Sequence, residues 1–162
     1  MLVACPFICP KLARNLPLQF IVAVDVFRQN RSRMYINYNT NPLNKRVGDC
    51  VIRAISTVLG ESWDTVYLDL SEQGFKMKDM PSANHVWGEY LTKWGFYRNA
   101  IPNTCPACYT VRDFCHDHPR GTYLLATGTH VVAVMDGNWY DTWNSGDEVP
   151  VYYWKRSEIN GI

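Results

Sequence analysis

A cysteine that opens an apolar helical stretch, a histidine that opens an alternating strand and an aspartate on the returning strand are the parts of a thiol-based acyl-transfer site. In this 162-residue chain they are Cys50 in "NKRVGDCVIRAIS", and His130 and Asp141 in "GTHVVAVMDGNWYDTW". A thiol attacks only as thiolate, and a helix N-terminus favours that form through its free N–H groups and the positive end of its dipole. A carboxylate beside an imidazole fixes the ring's tautomer and stabilises its protonated form. Asp49 opposes thiolate formation, so a nearby protonated histidine has to supply most of the activation. A tetrahedral intermediate also needs donors for its oxyanion. The backbone N–H of Cys50 offers one, and the side-chain amide of Asn44 or Asn41 the other.

The relation between His130 and Asp141 follows from one turn. Asp136-Gly137 predicts a two-residue type I′ hairpin, which needs positive φ at both positions. Met135 then faces Asn138, Val134 faces Trp139, Val132 faces Asp141 and His130 faces Trp143. The period of two puts His130, Val132, Trp139, Asp141 and Trp143 on one face, with His130 and Asp141 as diagonal neighbours about 7 to 8 Å apart along the backbone. Trp139 and Trp143 flank the aspartate there, as core anchors or as the lining of a substrate groove.

The elements that must position these residues come in a simple order. "MYINYN" alternates as a strand and "TNPLNKRVGD" is a loop. Asp49 stands at the N-cap position of a helix carrying Val51, Ala54, Ile55, Val58 and Leu59 at helical spacing, stopped by Gly60. Ser62 caps a second helix with Trp63, Val66, Tyr67 and Leu70 on one stripe, ending before Gly74. Ser82 caps a third with Val86, Tyr90, Leu91 and Trp94 inward. "VRDFCHDH" is a short fourth helix between Thr110 and Pro119, and "TYLLAT", "HVVAV", "WYDTW" and "VYYWK" are strands. Helices first and strands after predict an α+β domain, with N-terminal helices packed on a C-terminal antiparallel β-sheet.

Composition sets the class. With 47% hydrophobic and 14% aromatic residues, the chain has material for one core and too little length for two. A net charge of +1 offers no electrostatic footprint for nucleic acid or an anionic membrane, although basic residues crowd the first third. The run "LPLQFIVAVDVF" is too short and too broken by Asp25 to span a bilayer. Six cysteines in a chain of this size read as free thiols of a reducing cytoplasm, with no cofactor. Residues 1–33 lack the period of the remainder and read as an N-terminal extension to a domain over 34–162.

The order of cysteine at a helix start, histidine on a strand and aspartate on the next strand resembles papain-like cysteine peptidases. "NPLNKRVGDCVIRAIS" with "GTHVVAVMDGNWYDTWNS" is similar, more narrowly, to the small papain-like proteins of bacteriophages and prophages and to the C39 group of leader peptidases. The likeness spans about Met34 to Trp154. It implies a papain-like fold with Cys50 as nucleophile, His130 as base and Asp141 as orienter. The glutamine that papain-like enzymes carry about six residues before the cysteine corresponds to Asn44, one methylene shorter, with Asn41 as the competing donor. The implied activity is hydrolysis of a peptide or isopeptide bond in a peptide or protein substrate, in the host cytoplasm if the chain is phage-encoded. A transglutaminase or amidase-type acyl transferase uses the same residue types. A catalytically silent papain-like binding or inhibitory module acting on a host protein is the alternative of another class.

One further constellation competes. Cys105 and Cys108 stand at CxxC spacing, with Cys115, His116 and His118 downstream. A structural zinc wants four converging ligands, and a single CxxC gives half a site. The reading preferred here is a loop with accessible thiols followed by a capped helix, with no metal assigned.

Overall fold

The computed structural model describes residues 33–104 and 106–157. The extension read over residues 1–33 therefore lies, Arg33 apart, outside the described residues, as does Cys105. The elements are β1 (Tyr35–Asn37), α1 (Cys50–Leu59), α2 (Trp63–Met77), α3 (Asn84–Lys93), β2 (Phe96–Ala100), α4 (Val111–Asp117), β3 (Thr122–Ala126), β4 (Val131–Met135), β5 (Asn138–Asp141) and β6 (Tyr152–Arg156). The class is α+β, built on a six-stranded sheet of order β1-β5-β4-β3-β6-β2. Among the described residues no helix is long and apolar enough to cross a membrane.

Alternation along the central strands explains the layers. Leu124, Ala126, Val131, Ala133, Tyr152 and Trp154 face one way and form a core with Val51, Ala54, Ile55 and Val58 of α1, Val66 and Leu70 of α2, and Trp87 and Leu91 of α3. Their neighbours Tyr123, Leu125, Val132 and Val134 face the other way, and with Trp139 they bury Val111, Phe114 and Cys115 of α4. Three helices thus cover one face of the sheet and the fourth covers the other.

Two expectations about the sheet are corrected. It is mixed: β1 joins parallel to β5, with Tyr35 opposite Trp139 and Asn37 opposite Asp141. A strand ahead of the helices and one behind them run in the same direction once three helices have carried the chain back. The strand β2 went unread because its residues, Phe96–Ala100, carry only Phe96 inward; it pairs antiparallel with β6 at the sheet's far edge.

Helix boundaries follow the capping chemistry unevenly. Ser62 caps α2, accepting from Thr65 N at 3.0 Å, and Thr110 with Asp113 closes a reciprocal capping box on α4. The cap expected of Ser82 is not made; Ala83 holds that position and has no side-chain oxygen to accept from the helix N–H groups. Asp49 sits at the N-cap of α1 but its carboxylate makes no cap, being engaged elsewhere. Tyr67, expected inward, is 45% exposed.

Helix α2 also does not stop before Gly74. It continues to Met77 and ends on Lys78, whose φ of 58° turns the chain back across the helix. A Cβ at Gly74 would lie 2.6 Å from the carbonyl oxygen of Asp79. That oxygen belongs to backbone and cannot swing aside, so Gly74→Ala is expected to cost about 1–3 kcal/mol. The check is a lowered urea midpoint with an unchanged m-value.

Candidate active site

The hairpin forms as the Asp-Gly turn requires. Asp136 has φ 49° and Gly137 φ 74°, and the register runs Met135–Asn138, Val134–Trp139 and Ala133–Tyr140. The ladder stops there. Val132 does not pair with Asp141, which pairs instead with Asn37 of β1, and His130 precedes β4 by one residue. Alternation governs only paired residues. The expected shared face is therefore split: Val132 and Trp139 bury against α4, whereas His130 and Asp141 reach residues of α1.

At the end of the hairpin His130 Nε2 lies 2.6 Å from Asp141 Oδ2, the contact that donation from an Nε2–H to the carboxylate makes. This tautomer leaves Nδ1 for the thiol. Each partner is fixed by backbone. Thr127 Oγ1 accepts from His130 N at 3.0 Å, and Thr127 N donates to the His130 carbonyl at 2.8 Å, so the β3–β4 turn sets the ring's origin. Asp141 Oδ1 accepts from Thr142 N at 2.7 Å, while its carbonyl accepts from Tyr38 N at 2.8 Å. Both side chains are largely withdrawn from water, at 13% and 3% exposure.

Cys50 opens α1 and completes the set by hydrogen bonding to His130. Burial alone would raise its thiol pKa. The hydrogen bond with His130, the N–H of Val131 and the positive charges of His130 and Arg53 outweigh burial and hold it below its ordinary value. For His130, burial disfavours the cation, but the hydrogen bonds to Asp141 and Cys50 and the charges of both raise its pKa to about 9. Opposite shifts on two groups in contact favour a thiolate–imidazolium pair at neutral pH. A thiol, an imidazole and a carboxylate thus form one chain of contacts.

Comparison with protein-family models, curated proteins and solved structures finds no match to this chain. What the site can do rests on its own geometry.

The charge on Asp141 has a measurable consequence. In Asp141→Asn an acceptor remains but the anion is gone, and an imidazolium without its counter-charge loses its proton more easily. The His130 titration, followed by NMR, is expected to fall from about 9 by about one to three pH units.

The remaining predicted site residues divide. Trp143 is 44% exposed and its ring lies 5.4 Å from the His130 ring, at a tilt of 41°, so it forms a wall of the site. Trp139 is 1% exposed and donates from Nε1 to Asn144 Oδ1 at 3.2 Å, which makes it a core residue with no surface for substrate. Asn41 donates one amide N–H to Asp49 Oδ2 at 3.2 Å and accepts at Oδ1 from Leu43 N at 3.1 Å, so its side chain is held to the Asp49 carboxylate and its own loop. Asn44 has φ 52°, and its Oδ1 accepts from Asn39 Nδ2 at 3.0 Å. Neither asparagine hydrogen-bonds to Cys50 or His130. The uncapped start of α1, with the N–H of Cys50, is the donor the fold leaves at the thiol.

The zinc constellation does not assemble among the described residues. Cys115 is fully buried in the second core, with its thiol pushed up to about 12 by burial. His118 stacks on Phe114 at 3.9 Å between ring centroids, while His116 turns to Asp117 in solvent. Among the described residues no group of three or more His, Cys, Asp or Glu is placed to hold a metal.

One residue at the site escaped the reading of the chain. Arg53, three positions after Cys50, is buried on α1 on the side away from the stripe of Val51, Ile55 and Val58. Its guanidinium is hydrogen-bonded to Asp49 Oδ1 and lies 3.8 Å from Asp141 Oδ1. Helical spacing puts it opposite the apolar stripe, where a charged residue ordinarily faces water, so no local signal marked it.

Proposed function

We infer that this protein performs thiol-dependent acyl chemistry on a papain-like α+β scaffold, most simply hydrolysis of a peptide or isopeptide bond. The observation that carries the reading is the contact chain Cys50, His130, Asp141, with the thiol held below its ordinary pKa and the imidazole above it. The order of the three along the sequence supports the papain-like assignment, as does the nucleophile's place at the start of a helix packed on the strands that carry its base.

The chemistry follows from the geometry. The thiolate of Cys50 adds to the carbonyl carbon, and the oxyanion turns toward the N–H groups at the start of α1. His130, already protonated, gives its proton to the leaving nitrogen as the C–N bond breaks, which leaves a thioester on Cys50. Water then attacks the thioester while His130 takes its proton, and as the C–S bond breaks the acid leaves and the sulfur departs as thiolate, which restores the thiolate–imidazolium pair. Asp141 keeps the ring in one tautomer throughout.

An activated ester tests this without knowledge of the substrate. Incubation with p-nitrophenyl acetate is expected to add one acetyl group to Cys50, seen by mass spectrometry, and to release nitrophenol over repeated turnovers. Cys50→Ser and His130→Ala remove both signals. Wild-type protein that gains no acetyl group at Cys50 excludes the hydrolase reading and leaves a binding module on the same scaffold.

A further inference from the structure

Arg53 stands between two carboxylates that belong to different parts of the site. One nitrogen of its guanidinium is hydrogen-bonded to Asp49 Oδ1 and lies 3.5 Å from the Val47 carbonyl; the other lies 3.8 Å from Asp141 Oδ1. The second oxygen of Asp49 is satisfied separately, by Asn41 Nδ2 at 3.2 Å and Trp63 Nε1 at 3.0 Å. All three charged side chains are at least nine-tenths buried. Asp49, Arg53, Asp141, His130 and Cys50 thus alternate in sign along one path of contacts, and the path returns to its origin because Asp49 precedes Cys50 in the chain.

The groups around this path come from every element packed on it. They are Asp49 from the loop before α1, Cys50 on α1 itself, His130 ahead of β4, Asp141 at the end of β5, and Tyr35 of β1, whose hydroxyl donates to the Asp141 carbonyl at 3.3 Å. A carboxylate next to the nucleophile opposes thiolate formation, and a second lies just beyond His130. Arg53 is the cation that meets both.

Resting on the hydrolase reading above, we propose that Arg53 is the positioning residue of this site. Its single buried guanidinium clamps the orienting Asp141 to the carboxylate that precedes Cys50, so that the acid and the nucleophile's helix are held in one frame. A guanidinium can do this because its planar fork presents donors in two directions; an ammonium is a point charge that serves one carboxylate well.

The test is the pH profile of Cys50 alkylation by iodoacetamide, read by mass spectrometry on the full chain for wild type, Arg53→Lys and Arg53→Met, with folding followed by circular dichroism. Arg53→Met is expected to move the profile to higher pH, so that the rate near pH 6 falls about tenfold, with Arg53→Lys between it and wild type. A residue that merely stabilised the fold would lower the melting temperature and leave the profile in place. A folded Arg53→Met with the wild-type profile therefore overturns the proposal; if that variant does not fold, a folded Arg53→Lys with the wild-type profile does so. A wild-type Cys50 that reacts no faster than an ordinary thiol overturns the hydrolase reading itself, and the proposal with it.

Discussion

His130→Ala is expected to slow the alkylation of Cys50 near pH 6.5 by about 10- to 100-fold. In the wild type the imidazole lowers the thiol pKa by a hydrogen bond and by its charge, and these act against a burial that raises it. Without the imidazole, burial is opposed only by the N–H of Val131 and the charge of Arg53, and the thiol rises toward its ordinary value. An ordinary thiol is only about 1% thiolate near pH 6.5, so the loss of rate follows directly from the loss of reactive form. The pH dependence carries the sign. Wild-type Cys50 reacts fast well below the usual thiol range, whereas the variant gains rate only as pH rises toward that range. Cys115, fully buried and with its thiol pushed up to about 12, is the internal control and stays inert in both proteins. Equal rates for Cys50 with and without His130 would remove the thiolate–imidazolium pair from the description of the site.

The second large effect separates two tryptophans that stand four residues apart. Trp139→Ala is expected to cost about 3–5 kcal/mol of stability, because it empties a fully buried indole site that the surrounding helix and strands cannot close. Trp139 packs with Phe114, Val132 and Val134, and a Cβ at Gly146 would come within 2.7 Å of its ring. Trp143→Ala removes a half-exposed ring that touches His130, and less than about 1 kcal/mol is expected to go with it. Denaturant titration of both variants checks the contrast. Comparable losses would mean that Trp143 is also core, which its exposure contradicts.

The difference between those tryptophans marks the limit of reading by period. The alternation rule put both on one face with His130 and Asp141, and it holds wherever β4 and β5 are paired. Beyond Ala133 and Tyr140 the strands part, Asp141 pairs with β1 instead, and the side chains at the hairpin's end are aimed by other contacts. Asn41 gives a similar lesson. Its place in the loop before the helix, held extended by the following proline, made it a competing oxyanion donor, but a buried carboxylate at Asp49 needed partners more. Which of two demands an amide meets depends on what else is buried nearby.

By itself the sequence determined the α+β class, the four helices, and the Asp-Gly turn with the register of its first pairs, Met135–Asn138 and Val134–Trp139. All of these follow from local rules: helical spacing, turn chemistry and the period of two act over a few residues. Tertiary structure alone decided that β1 runs parallel to β5, that α4 takes the opposite face of the sheet, that Trp139 is core, and that Arg53 joins Asp49 to Asp141. Those outcomes depend on groups far apart in the chain competing for the same buried charge or surface. A sequence pattern does not record that competition, because its result is fixed only when the pieces share one interior.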